Sequence, residues 1–250
     1  MIAKQIANRD RLIFALDVAD CAHARKLAIE LDDAVTFYKI GLELMMSGGY
    51  FELLDWLLEQ NKKVFCDLKF FDIPATVGSA VRQLKDRGAT FVTVHGNQSI
   101  MEAAAANKGD SLKVLGVTVL TSLDRGDLDD LGFACDIEEL VISRARRALE
   151  AGCDGVISSG LEVARLRAVV DPKLLVVTPG IRPVDNKPVE AALREAAMPA
   201  SDQKRVVTVE TAFASGADYI VVGRPIRDAA DPRAAAEAIQ ASIASQMAGG

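Results

Sequence analysis

Short runs of consecutive apolar residues recur along the chain, separated by segments in which apolar and polar positions repeat with the period of a helix. The apolar runs predict buried strands at residues 12–17, 35–40, 64–69, 90–95, 112–120, 155–158, 174–178 and 219–222. The segments between them predict helices at about 20–31, 50–60, 74–87, 99–107, 136–151, 160–170, 208–215 and 231–246. Because the strands are continuously apolar, we expect a parallel sheet that is covered by helices.

Eight strand–helix units of roughly 25–30 residues predict the α/β class and, within it, a (β/α)8 TIM barrel. Three helix-to-strand turns are near-copies of one another, with Gly88, Gly152 and Gly216 each placed to end a helix. No linker, low-complexity segment or change of composition divides the chain, so residues 1–250 are expected to form a single domain. An open doubly wound sheet is the alternative arrangement.

Composition narrows the classes of function. Half of the residues are hydrophobic and the net charge is −6, which argues against a nucleic-acid-binding surface. The four cysteines show neither zinc-ligand spacing nor a disulfide framework, which fits a reducing compartment. The N-terminus lacks a signal-peptide pattern, and no apolar run approaches the ~18 residues of a membrane span. We therefore expect a cytoplasmic protein with no membrane partner.

The third predicted strand ends in charged residues. On a strand Asp67 and Lys69 share one face, and Asp72 follows just before Ile73-Pro74 opens a helix. Burying charges is costly even when they are paired, so stability alone would favour apolar residues there. Asp, Lys and Asp at spacings of two and three residues predict a catalytic site. The alternative is a surface ion pair with Asp72 as a helix cap.

Other predicted strands also end in polar residues, and the active sites of barrels lie where the C-terminal strand ends meet. Lys39 lies within an apolar strand, where a lysine without an anionic partner is rare. Gly223 and Arg224 follow the last strand, where barrels often bind phosphate; a rim salt bridge is the alternative for Arg224. Asp17 is either a site residue or a turn residue, and His95 receives no role.

A long connection follows the seventh strand, from about residue 180 to 203, with Arg182 and Gln203 at its two ends. Loops beyond ~12–15 residues in compact domains are usually functional lids or disordered segments. A lid that closes over a phosphate group is therefore expected, and an insertion without function is the alternative.

The chain resembles the orotidine 5′-phosphate decarboxylase family along nearly its whole length. The stretch Asp67-Leu68-Lys69-Phe70-Phe71-Asp72-Ile73-Pro74 matches the family signature D-x-K-x-x-D-I-P. Further segments are similar to the family in its own order: Leu16-Asp17, Lys39-Ile40-Gly41, Leu120-Thr121-Ser122, Thr178-Pro179-Gly180-Ile181-Arg182-Pro183, Asp202-Gln203 and Gly223-Arg224-Pro225. The segment between Arg182 and Gln203 is longer than is usual for the bacterial members.

The resemblance implies decarboxylation of orotidine 5′-phosphate to UMP without a cofactor or metal, the last step of de novo pyrimidine biosynthesis. Lys69 would protonate C6 of the pyrimidine within a charge network of Lys39, Asp67, Lys69 and Asp72. A homodimer with shared active sites is implied, in which Asp72 and Thr76 reach the neighbouring subunit's site.

The resemblance also implies which side chains bind which part of the substrate. The ribose would be held by Asp17, Lys39 and Thr76, and the pyrimidine would lie near Thr121 and Ser122. The phosphate would be held by Arg182, Gln203, Gly223 and Arg224.

Two other functions stay open from the sequence. A Mg²⁺-dependent sugar-phosphate decarboxylase or aldolase of the same superfamily needs a carboxylate cluster, and Lys39 occupies a strand end where a further acid is expected. A non-catalytic phospho-nucleotide-binding protein would keep Gly223 and Arg224 but has no need of Lys69 between two acids.

Overall fold

Eight parallel strands close into a barrel in chain order in the computed structural model, which describes residues 4–182 and 205–248. The strands are β1 Leu12–Ala15, β2 Phe37–Gly41, β3 Lys63–Phe70, β4 Phe91–His95, β5 Lys113–Val117, β6 Gly155–Ile157, β7 Leu175–Thr178 and β8 Tyr219–Val222. β1 pairs with both β2 and β8, which closes the sheet. The predicted (β/α)8 barrel is confirmed, and the open sheet is excluded.

Helices surround the barrel. Within the described ranges they are α1 Cys21–Leu31, α2 Leu42–Ser47, α3 Tyr50–Glu59, α4 Pro74–Lys85, α5 Gln98–Asn107, α6 Arg125–Asp130, α7 Ile137–Glu150, α8 Val163–Val169, α9 Val209–Ala214, α10 Arg224–Arg227 and α11 Pro232–Ala248. The sequence did not predict α2, α6 and α10, because each of these short helices buries a single residue and so shows no helical period. β5 also ends earlier than expected, at Val117.

The core has two layers, because successive strand residues point alternately into and out of the barrel. The inner layer contains Ile13, Ala15, Phe37, Phe65, Phe91, Leu115, Leu175, Val177, Tyr219 and Val221. The ring of Phe91 lies 5.1 Å from that of Phe37 and 5.2 Å from that of Tyr219, centroid to centroid. These side chains fill the interior, so any cavity for a ligand must lie at one end of the barrel.

The repeated helix-to-strand turns lie at the N-terminal end of the barrel. Gly152 and Gly216 have φ angles of 82° and 99°, a left-handed conformation that favours glycine. The turns place Asp154 and Asp218 immediately before β6 and β8, and each carboxylate accepts the backbone N–H of a neighbouring strand at 2.8 Å. These two carboxylates are therefore hydrogen-bonded to the backbone of the sheet.

Candidate active site

A cavity of about 550 Å³ opens at the C-terminal ends of the strands, directly above the inner core residues Ala15, Phe65 and Val221. Eight of the residues predicted for the site line it: Asp17, Lys39, Asp67, Lys69, Thr121, Arg182, Gly223 and Arg224. They follow or end six different strands, so closure of the barrel brings together groups that are up to about 200 positions apart in the sequence.

Four of these side chains form a continuous line of alternating charge. Lys39 Nζ donates to Asp17 Oδ1 at 2.9 Å and lies 3.4 Å from Asp67 Oδ2. Lys69 Nζ donates to the same Asp67 oxygen at 2.9 Å. Asp67 and Lys39 are each only 9% exposed, whereas about a third of the Lys69 side chain is exposed toward the cavity that it lines. The ammonium of Lys69 is thus fixed by a buried carboxylate and accessible to a ligand.

Burial disfavours the charged forms of Lys39 and Asp67, but the ion pairs between them and their neighbours outweigh this effect. Burial by itself would lower the pKa of Lys39, yet the Asp67 and Asp17 carboxylates hold that pKa above its ordinary value. Burial would likewise raise the pKa of Asp67, but the two lysines and the Thr93 hydroxyl hold it below its ordinary range. Both groups are therefore ionised at neutral pH.

A bulge in β3 aims Lys69. Cys66 is opposite Val92 and Phe70 is opposite Val94, so β3 carries two residues more than β4 over this interval. Lys69 has a φ of 47°, a left-handed conformation that is costly for a residue other than glycine. Simple strand alternation predicted that Asp67 and Lys69 meet; they do meet, but across a bulge.

Thr93 on β4, for which the sequence predicts no role, supports this bulge. Its Oγ1 accepts the backbone N–H of Lys69 at 3.0 Å, and its hydroxyl donates to Asp67 Oδ1 at 2.8 Å. Thr93 is fully buried. The feature of the sequence that could have indicated this role is the Thr93 hydroxyl between the apolar residues of β4.

Arginines occupy another part of the cavity wall. Arg182 follows β7, and Arg224 begins α10 directly after β8. Arg227, which was not predicted, also lines the cavity and donates from Nη1 to the backbone oxygen of Asp17 at 2.6 Å. Guanidinium groups suit phosphate because they can donate two parallel hydrogen bonds.

Three predicted site residues lie outside this cavity. Asp72, Thr76 and Ser122 are exposed and do not line it. Asp72 Oδ1 instead accepts the backbone N–H of Ile73 at 2.6 Å, just before α4. The charge line within this chain is completed by Asp17, not by Asp72. Gln203 and the long connection 183–202 lie outside the described residues.

His95 lies at the end of β4 and does not line the cavity. Its ring stacks on Phe71 with centroids 4.4 Å apart. Burial and the nearby Arg144 guanidinium hold the pKa of His95 below its ordinary value. The ring is therefore neutral at physiological pH, which suits a packing role.

The fold and the cavity define a (β/α)8-barrel enzyme with a network of lysines and carboxylates at the C-terminal end of the barrel, which we call the mouth. The model of the orotidine 5′-phosphate decarboxylase / HUMPS family matches residues 10–239, and the chain belongs to that family. The orotidine 5′-phosphate decarboxylase of Methylococcus capsulatus is 63% identical over 247 residues, which cover 99% of this chain and 97% of the relative. That of Nitrobacter winogradskyi is 48% identical over 240 residues, covering 96% and 95%.

A solved structure shows the same fold. The crystal structure of orotidine 5′-phosphate decarboxylase from Lactobacillus acidophilus superposes with a TM-score of 0.79 at 34% identity, covering 94% of this chain and 99% of that one. The family, the barrel and the carboxy-lyase class expected from the sequence are confirmed. No comparison favours the Mg²⁺-dependent alternative, and the carboxylates inside the cavity are already paired with ammonium groups.

Proposed function

We infer that this chain decarboxylates orotidine 5′-phosphate to UMP in pyrimidine biosynthesis. Membership of the family and 63% identity to a named decarboxylase support the reaction. The observation that carries the mechanism is the Lys69 ammonium, held 2.9 Å from buried Asp67 at the wall of the cavity. The direct test is to mix the protein with orotidine 5′-phosphate and EDTA and to follow UMP formation by ultraviolet absorbance. UMP formation that disappears when EDTA is added would show a metal requirement and contradict the cofactor-free reaction.

The proposed role of Lys69 is to stabilise and then protonate the reacting carbon. The bond between C6 and the carboxylate breaks, CO₂ leaves, and the electron pair stays on C6. A fixed cation close to that carbon stabilises the developing charge, which is usually a large catalytic contribution. Lys69 then donates a proton from Nζ to C6 and regains one from water.

Asp67 and Lys39 are proposed to hold Lys69 ready for this step. Asp67 holds the ammonium of Lys69 in place, and Lys39 provides a second ammonium 3.4 Å from the same Asp67 oxygen. Asp67 is also positioned to repel the carboxylate of the substrate, a repulsion that is relieved when CO₂ departs. Thr93 fixes the Asp67 carboxylate through the hydroxyl hydrogen bond described above.

We propose that the remaining cavity residues bind the parts of the substrate that do not react. Arg182, Gly223 and Arg224 would bind the phosphate, together with Gln203 from outside the described residues. Asp17 and Lys39 would contact the ribose, while Thr121 and Ser122 would lie near the pyrimidine. The cavity lining supports all of these except Gln203, which it does not test, and Ser122, which is exposed beside Thr121. Binding far from C6 can provide the energy that organises the site.

We further propose a homodimer with shared sites, in which Asp72 and Thr76 of each chain reach the cavity of the other. Their exposure outside their own cavity supports this arrangement. The large apolar side chains of Phe71 and Ile73, which flank Asp72, are 65% and 67% exposed, as expected for a surface that a second copy covers.

Mixing two inactive variants tests the shared site. Lys69→Ala and Asp72→Asn should each be inactive alone, but a mixed dimer contains one site with both native groups. After exchange of subunits, random pairing should restore about a quarter of the wild-type sites. If mixing restores no activity although mixed dimers form, Asp72 does not act across the subunits.

The remaining expectations from the sequence stay predictions. They are a cytoplasmic location, no nucleic-acid partner, no cofactor, one domain over residues 1–250, and a lid in the connection 180–203. Across the described residues, no helix is both long and apolar enough to cross a membrane.

A further inference from the structure

A buried ion pair lies beside the cavity, outside the residues assigned above. Arg205 Nη1 donates to Glu162 Oε1 at 2.6 Å, and the two side chains are only 9% and 7% exposed. The same guanidinium donates from Nη2 to the backbone oxygens of Val119 and Leu120, at 3.2 and 2.9 Å. Arg205 thus connects the loop after β6 to the loop after β5.

The backbone next to Arg205 is attached to a third loop. Residues 205–207, which we call the 205–207 strap, run parallel to the chain after β7. Val207 N donates to the oxygen of Gly180 at 3.1 Å, and Arg182 N donates to the oxygen of Val207 at 2.9 Å. The strap therefore holds the backbone of Arg182 in place, and Arg182 is proposed to bind phosphate.

The strap also packs tightly against the loop after β6. A Cβ atom added to Gly160 would lie 2.2 Å from Cγ2 of Val207, so only glycine allows this approach. The strap consequently contacts the loops after β5, β6 and β7. Two of these loops contribute to the cavity wall, through Leu120 and Thr121 on one side and Ile181 and Arg182 on the other.

Stability alone does not account for the pair. Replacing a buried ion pair with apolar residues of similar size is often neutral or stabilising. Glu162 Oε2 is buried and has no hydrogen-bond partner among the described residues, so the pair is not fully satisfied. Such a pair is better explained by the geometry that its hydrogen bonds impose.

We propose that Arg205, with Glu162 as its counter-ion, is a positioning residue for the substrate. Its guanidinium holds the backbone at Val119 and Leu120 at a fixed distance from the strap. Thr121 and Arg182 are thereby spaced so that one substrate molecule contacts both at once. The inference rests on the binding roles proposed above for Thr121 and Arg182.

The test removes both charges together, so that no unpaired charge is left buried. In the double variant Arg205→Met/Glu162→Leu the midpoint of thermal unfolding should stay within a few degrees of wild type. KM for orotidine 5′-phosphate should rise about tenfold or more, while kcat falls by less than about threefold, because Lys69 and Asp67 on β3 are untouched. Arg205→Lys, which keeps the charge but reaches fewer carbonyls, should give an intermediate KM.

Arg167 offers a matched control at the other end of the barrel. It also bonds one carboxylate and two backbone oxygens, those of Asp218, Leu174 and Gly216. Arg167→Met should leave KM and kcat unchanged at a temperature where it is folded. A wild-type KM in the folded double variant, or a loss confined to kcat, would overturn the inference.

A second measurement separates the positioning role of Arg205 from the phosphate-binding role proposed for Arg182. Arg182→Ala alone should raise KM; if it does not, the proposed phosphate site is wrong, whatever the Arg205 variants do. If it does, Arg205→Lys should raise KM less in the Arg182→Ala background than in wild type, because it acts partly through Arg182. Equal effects in the two backgrounds would remove Arg182 from the proposal. Lack of turnover by the wild-type protein would instead contradict the function.

Discussion

The two ends of the barrel both bury carboxylates beside basic groups, but they arrange the hydrogen bonds differently. At the N-terminal end, Asp218 accepts the backbone N–H of Val176 and pairs with Lys4 and Arg167. At the C-terminal mouth, the hydrogen bonds described for Asp67 come from the side chains of Lys69 and Thr93. The first carboxylate is bonded to the sheet itself, whereas the second is bonded to side chains, of which Lys69 lines the cavity.

This difference shows why similar charges serve different purposes. A carboxylate that accepts a backbone N–H stabilises the closed sheet, and its partners have little freedom left for a ligand. A carboxylate held by side chains can orient those side chains for chemistry. The left-handed φ of Lys69 fits this view, because backbone strain persists only where the surrounding structure enforces it. We therefore expect mutations at the C-terminal mouth to impair turnover and mutations at the N-terminal end to reduce stability.

The largest expected effect is that of Lys69→Ala. Loss of the cation and proton donor should reduce kcat by at least about 10³-fold, while UMP still binds and the thermal midpoint changes by only a few degrees. Lys63, at the opposite end of the same strand, is paired with Asp10 on the surface and provides the control. Lys63→Ala should keep kcat within about twofold of wild type, since Lys63 begins β3 and does not line the cavity at the other end. Near-normal turnover by Lys69→Ala would refute its assigned role.

A loss of stability without a loss of activity is expected from Asp218→Asn at the N-terminal end of the barrel. The variant leaves Lys4 and Arg167 without their carboxylate, which should cost about 3 kcal/mol in the free energy of unfolding. For a chain of this size the midpoint of thermal unfolding should fall by about 10 °C. At 25 °C kcat/KM should be unchanged. A large loss of kcat/KM in the folded variant would break the contrast between the two ends.

A smaller effect is expected from Arg224→Ala at the mouth. Loss of a charged hydrogen bond to phosphate typically costs about 1.5–3 kcal/mol, so kcat/KM should fall about 10- to 100-fold. The thermal midpoint of the free protein should stay within a few degrees of wild type. Steady-state kinetics and a thermal scan check both statements, and unchanged kinetics would remove Arg224 from the phosphate site.

The smallest effect is expected from pH. Because the folded pKa of Asp67 is lowered, its stabilising contribution is complete above the ordinary value of about 3.9 and is lost only as pH falls through the folded pKa. The folded pKa of Lys39 is raised, so its contribution is complete below about 10.4 and is lost as pH rises through the folded value.

Between pH 5 and 9 neither group should titrate. The difference in free energy of unfolding between wild type and Asp67→Asn should therefore stay constant over that range, as measured by urea denaturation at several pH values. A difference that shrinks between pH 7 and pH 5 would show that Asp67 is protonated more easily than its surroundings imply.

Local patterns were sufficient for much of this molecule. Continuous apolar runs predicted all eight strands, because parallel strands are buried on both faces and every position carries that signal. The repeated glycines predicted the helix ends at Gly152 and Gly216. Eight predicted site residues line one cavity because the C-terminal ends of the strands meet at one end of the barrel.

Contacts between distant residues were not predictable in this way. Thr93 and Arg227 act on Asp67, Lys69 and Asp17 across strands, and nothing in their own neighbourhoods marks those partners. The bulge in β3 was likewise hidden, because it is defined by the register against β4.

The sequence by itself determined the order of the eight strands and of the longer helices, the family and the charged residues of the mouth, since these depend on periodicity and on local motifs. Only the tertiary structure decided that Asp17 ends the charge line within the chain, that Lys69 lies on a bulge, and that Arg205 joins three loops. The physical reason is that hydrogen bonds and ion pairs act over about 3 Å in space, and closing a barrel brings residues to that distance regardless of their separation along the chain.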